Sequence, residues 1–129
     1  MESNNLCFLK YAETFSDLTN LEKIAIVRFL CSIFSAGIDP KYETEATQIY
    51  FYTILKDVLK VKPLQEVIEE ALRTDKEKCF SIIRGFSSDK KSTLSIMVHE
   101  MIFESKVFNA KANVFCGICK ETGVHFPYK

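Results

Sequence analysis

The sequence predicts an all-α domain, and three observations carry that prediction. Apolar residues recur at intervals of three and four along most of the chain, and no stretch alternates for long at a period of two. Capping residues and glycines punctuate those stretches at helix-like lengths. The chain also resembles itself. Ile33-Phe34-Ser35-Ala36-Gly37-Ile38-Asp39-Pro40-Lys41-Tyr42-Glu43 returns in blurred form as Ile102-Phe103-Glu104-Ser105-Lys106-Val107-Phe108-Asn109-Ala110-Lys111. Each copy passes from an apolar helix through a short break, an apolar residue and an Asx residue into a new helix. The reading is a single compact domain of about seven helices, with two pseudo-repeated helix–loop–helix hairpins facing each other.

A first short helix is expected over residues 5–15, where Leu6, Phe8, Leu9, Ala12 and Phe15 share helical spacing. Thr19-Asn20-Leu21-Glu22 fits a capping box, in which the Thr19 hydroxyl accepts an amide proton and Glu22 reaches back to the cap amide. The helix it opens should run to Ser35. It is apolar on two faces (Ile24, Val27, Leu30 and Phe34; Ile26, Phe29 and Ile33), which predicts a central position. Gly37 should end it through a positive φ. Asp39 and Pro40, as N-cap and first helical residue, should open a third helix reaching Leu59. Ile49 to Leu55 has strand propensity on its own, but the longer apolar period of Tyr42, Ala46, Ile49, Thr53 and Val58 favours helix. Val61-Lys62-Pro63 is a loop, because the residue before a proline avoids the helical region.

Leu64 to Leu72 predicts a short helix, and Thr74-Asp75-Lys76-Glu77 a second capping box for a helix that ends at Gly85. Ser87-Ser88-Asp89 starts the next helix, expected to reach Glu104. Asn109 should cap a last helix closed by Gly123, and residues 125–129 should form a surface tail outside a core of residues 18–124.

The bulk composition narrows the function classes. The chain has 129 residues, 47% of them hydrophobic, with eleven Phe, five Tyr and no Trp. That is enough for one core without staples. Seventeen basic and seventeen acidic residues cancel, so no positive field gathers phosphates, and nucleic acid is not an expected partner. The N-terminus is acidic and polar, unlike a secretory signal. The longest apolar run, Ile24 to Phe34, is broken by Arg28 and is too short for a membrane span. Five cysteines without regular spacing are read as reduced thiols, so a cytoplasmic location is expected.

The Ser35–Glu43 segment resembles the tellurite-resistance TerB-like family. That family's motif runs from an apolar helix into Ala-Asp-Gly, then to an apolar residue, an acidic one and a Glu inside the next helix. Gly37, Ile38, Asp39 and Glu43 match it. Ala36 stands where the motif has aspartate, and the loop is one residue short. The second copy keeps Val107 and Asn109, with Glu104 in the aspartate's place. The resemblance spans residues 18–124. It implies two antiparallel helical hairpins, a stress-response role and an acidic surface that holds a divalent cation. The carboxylates available for such a site are Asp39, Glu43, Glu100 and Glu104, with Glu45 nearby in sequence. A hard cation such as calcium takes about six to eight oxygens. Lys111, however, stands where the second helix would contribute its carboxylate, and its ammonium would repel the ion or replace it. The metal reading is therefore disfavoured, and no cofactor is expected. A salt bridge between Lys111 and an acid of the first loop would mark the place of a lost ion.

Other candidate chemistry is sparse. Cys116-Gly117-Ile118-Cys119 has C-x-x-C spacing, but it lies in the second half of a helix, where the dipole works against a thiolate. A zinc site would need two more ligands, from His125, His99 or another cysteine. His99 beside Glu100 has the makings of a base–acid pair, yet no nucleophile or phosphate loop accompanies it. The sequence thus points away from an enzyme. It favours a helical module that binds a protein partner or a second copy of itself, through surplus aromatic surface such as Tyr50, Phe51 and Tyr52.

Overall fold

The computed structural model describes residues 2–128, with side chains from residue 7 onward; Met1, Lys129 and the Leu6 side chain lie outside the described residues. Seven α-helices follow in order: α1 (Glu2–Thr14), α2 (Asn20–Phe34), α3 (Glu45–Thr53), α4 (Leu64–Arg73), α5 (Lys76–Arg84), α6 (Ser88–Ile102) and α7 (Phe108–Thr122). No strand occurs among the described residues. The fold is all-α, as the periodicity predicts.

Helix α2 is the central element. Its capping box forms as expected: the Glu22 amide donates to Thr19 Oγ1 at 3.1 Å, and the Thr19 amide donates to Glu22 Oε1 at 2.8 Å. A cap of this kind stabilises by about 1 kcal/mol. Because both faces of the helix are apolar, it packs against α4, α5, α6 and α7 and buries residues from Ile24 to Phe34 almost without interruption. Phe34 stacks on Phe51 of α3 with centroids 4.1 Å apart and planes within 6° of parallel.

The third helix departs from the expectation. Asp39 caps, but only a single 3-10 turn over Pro40–Tyr42, with its side chain accepting from the Lys41 amide. The backbone then extends at Glu43 and Thr44, and Thr44 recaps a new helix by accepting from the Thr47 amide at 3.1 Å. A continuous helix would hold Glu43 away from the partners it reaches on the second hairpin, so tertiary pairing overrides the local signal. Beyond Thr53 the helix widens into a π-helical turn, Ile54–Val58, where the Leu59 amide donates to Ile54 O. The strand propensity of Ile49 to Leu55 loses to burial of Phe51, Ile54 and Leu55.

Three further boundaries shift. Asp75, not Thr74, caps α5, accepting from the Lys78 amide; the Thr74 hydroxyl instead donates back to Glu70 O at 2.7 Å and closes α4. Helix α6 ends at Ile102, two residues before Glu104. Asn109 lies inside the first turn of α7, whose cap position is Val107, without a side-chain cap bond.

Helix α1 and the segment after α7 both pack onto the body. Tyr11 of α1 and Phe15 just after it are buried, although Leu9 faces solvent. The C-terminal segment carries no regular structure, yet it straps down an aromatic row: Phe115 on Phe126, Phe126 on Tyr128, and Phe108 on Tyr128. The Ser95 hydroxyl anchors that strap by donating to His125 O at 2.7 Å.

Candidate functional site

The two pseudo-repeated loops meet, and Lys111 is at the centre of the meeting. The turn after α2 contributes Gly37, whose φ of 81° is open to few residues other than glycine. It approaches α7 so closely that an added Cβ would stand 2.6 Å from the Ala110 Cβ. That approach brings the carbonyls at the end of α2 to the first turn of α7, where Lys111 is fully buried.

The Lys111 ammonium has three oxygen partners. It donates to Phe34 O, donates to Ala36 O at 3.0 Å, and pairs with Glu43 Oε2 at 3.3 Å. Neither side chain of this ion pair is exposed. An ammonium carries three N–H donors and a neutral amine two, so three acceptors match the charged form. The carbonyls of Phe34 and Ala36 lie at the end of α2, where unpaired carbonyls and the helix dipole favour a cation. The Phe34 ring adds its face at 5.6 Å.

Glu43 is engaged as completely. Oε1 accepts from the Thr44 amide at 2.8 Å and from the Lys106 amide at 2.9 Å. Oε2 accepts from the Ser105 hydroxyl at 2.6 Å and faces Lys111. A carboxylate offers about four lone-pair sites, and here each oxygen has two partners. Burial works to raise the Glu43 pKa, but hydrogen bonds from Ser105, Lys106, Thr44 and Lys111 outweigh it and hold the carboxyl at about 2. Burial pulls Lys111 below the usual lysine range, and Glu43 pulls it back up. Ser105 also accepts from the Val107 amide at 3.0 Å. Of the amides just ahead of α7, that of Lys106 is thereby satisfied by Glu43 of the first hairpin and that of Val107 by Ser105 of its own loop, neither by Asn109.

The other carboxylates proposed for a metal are held elsewhere. Asp39 caps the 3-10 turn. Glu100 accepts the hydroxyls of Tyr11, at 2.9 Å, and of Tyr50 on the same oxygen, Oε1. Burial, then the Glu100 carboxylate, pushes both phenols above their usual range, so they remain donors. Glu104 is exposed, as is Glu45. Among the described residues, no group of three or more His, Cys, Asp or Glu side chains is arranged to hold a metal ion.

All five cysteines are free. Cys119 is buried, and burial, then its neighbour Cys116, raises its thiol to about 12. Burial likewise raises Cys31 to about 11, with Arg28 pulling the other way. Thiols this far above neutral stay protonated and act as small apolar groups. His99 is bound through Nδ1 to the Tyr128 hydroxyl.

Sequence reasoning named Lys111 and Glu43 but missed Ser105, Tyr11 and Tyr50. Ser105 had a signal, since it lies in the second copy's loop, where a hydroxyl can serve nearby amides and carboxylates. The two tyrosines had none, being 89 and 50 residues from Glu100.

Fold and site together define an all-helical single domain whose two pseudo-repeated loops are joined by a buried lysine–glutamate pair. Comparison with protein-family models, curated proteins and solved structures finds no match to this chain. No helix among the described residues is long and apolar enough to cross a membrane.

Proposed function

We propose that this chain is a non-enzymatic, cytoplasmic helical interaction module, a degenerate relative of the TerB-like domains, in which the Lys111 ammonium replaces the divalent cation. One observation carries the reading: Lys111 offers its charge to two backbone carbonyls and a carboxylate at the junction of the paired loops. An exchangeable ion at that place would signal; a covalently tethered one only holds the hairpins together. With the four donors around Glu43 already matched to its lone pairs, no vacant oxygen there invites a second cation.

Function then passes to the outer surface. Tyr42, Ile49 and Tyr52 lie exposed on and just ahead of α3, on the hairpin that the lock braces. An apolar contact surface would draw on exposed residues such as these. The test is a photo-crosslinking amino acid placed at Ile49 and, as a control, at the exposed Asn113 of α7. The reading expects a discrete protein adduct, or a dimer of this chain, from position 49 and none from position 113. Equal adducts at both positions, or none at 49, would defeat it.

A further inference from the structure

A second feature lies away from the lysine lock. Where α1, α3 and the end of α6 converge, the surface opens into a cleft of about 300 Å³ lined by Phe8, Tyr50, His99, Glu100, Phe103 and Glu104. We propose that this cleft binds a guanidinium cation, supplied as an arginine side chain of a protein partner. The inference rests on the interaction-module reading and names the chemistry of its partner.

Charge comes first. The lining holds two carboxylates and neither lysine nor arginine. Helix α6 ends at Ile102, so its terminal carbonyls add negative potential at the same end. Orientation comes second. Tyr11 and Tyr50 both donate to Glu100 Oε1, which aims the carboxylate, and among the described residues no donor reaches Oε2. A half-buried carboxylate with one oxygen served twice and the other unserved is an acceptor for a charge-assisted hydrogen bond.

Shape decides which cation. Phe8 and Tyr50 pair at 5.2 Å and His99 and Phe103 at 5.8 Å, and all four line the cleft. Phe103 is 67% exposed, and His99 is held by Tyr128. Aromatic faces suit a flat, delocalised cation that stacks while its edge meets a carboxylate, which describes guanidinium better than ammonium. A metal ion would find too few oxygens here.

The test titrates N-acetyl-arginine amide into isotope-labelled protein and follows the amides of Tyr50, Glu100 and Phe103. N-acetyl-citrulline amide, isosteric but neutral, is the control. Saturable shifts are expected with arginine and at least tenfold weaker ones with citrulline. Glu100→Gln keeps an acceptor for both tyrosines and should weaken arginine binding at least tenfold; the exposed Phe103→Ala should weaken it severalfold with an unchanged melting temperature. Absence of saturable shifts, equal binding of citrulline, or unchanged binding in both variants would overturn the proposal. If the cleft fails while crosslinks from position 49 persist, the interaction module stands without this site.

Discussion

Lys111 Nζ and Glu43 Oε2 lie 3.3 Å apart with neither side chain exposed, and they join the two pseudo-repeated helix–loop–helix segments. Breaking a buried ion pair from one side costs about 3–5 kcal/mol, because the remaining charge is left without its partner. Lys111→Met should therefore destabilise the domain by about that much in chemical denaturation. Glu43→Gln should cost a comparable amount, since it leaves the ammonium buried against two carbonyls alone. The double variant should lose clearly less than the sum of the two, which a double-mutant cycle reads directly.

Acid should loosen the same lock. Glu43 is held at about 2, against an ordinary value of 4.5. A carboxylate with a depressed folded pKa contributes stability that is present above its unfolded value and lost as pH falls through the folded one. Stability should thus decline between pH 4.5 and 2. In Glu43→Gln this part of the acid limb should flatten. Denaturation midpoints across that pH range check it, and an unchanged slope in the variant would count against the assigned role of Glu43.

Two glycines should respond in opposite directions. Gly37→Ala places a Cβ 2.6 Å from Ala110 in a backbone with φ of 81°, combining left-handed strain with overpacking, and should cost at least about 2 kcal/mol. Gly117 lies inside α7 with nothing within 4 Å of an added Cβ. Gly117→Ala should stabilise by about 0.5–1 kcal/mol, the helix-interior preference for alanine. Melting temperatures of both variants give the signs.

How much of this was legible in the sequence follows from the range of each interaction. Thr19 with Glu22, Gly37 and Gly123 act within a turn of themselves, and their roles hold. Asp39 reads correctly as a cap, but the helix after it does not, because Glu43 takes its conformation from Ser105 and Lys106, 62 and 63 residues away. The partner of Lys111 was foreseeable only because the chain nearly repeats itself, which set a lysine against a glutamate. The cluster of Tyr11, Tyr50 and Glu100 draws on three helices with no shared motif, and nothing local announces it.

The exposed face of α3 should tolerate charge. Ile49 is 57% exposed, so Ile49→Lys should change stability by less than about 0.5 kcal/mol while abolishing any self-association seen by light scattering. A large loss of stability would mean that Ile49 serves the core rather than a contact surface.

On the proposed reading, the Lys111 ammonium fills a cation's place between the hairpins. Lys111→Ala removes that ammonium and leaves the carbonyls of Phe34 and Ala36 and the Glu43 carboxylate facing a gap. Melting this variant and the native chain with and without propylammonium, at matched ionic strength, tests the claim most directly. The variant should recover several degrees of melting temperature and the native chain none. An equal shift in both proteins, or a variant that melts at the native temperature without any added cation, would contradict the account.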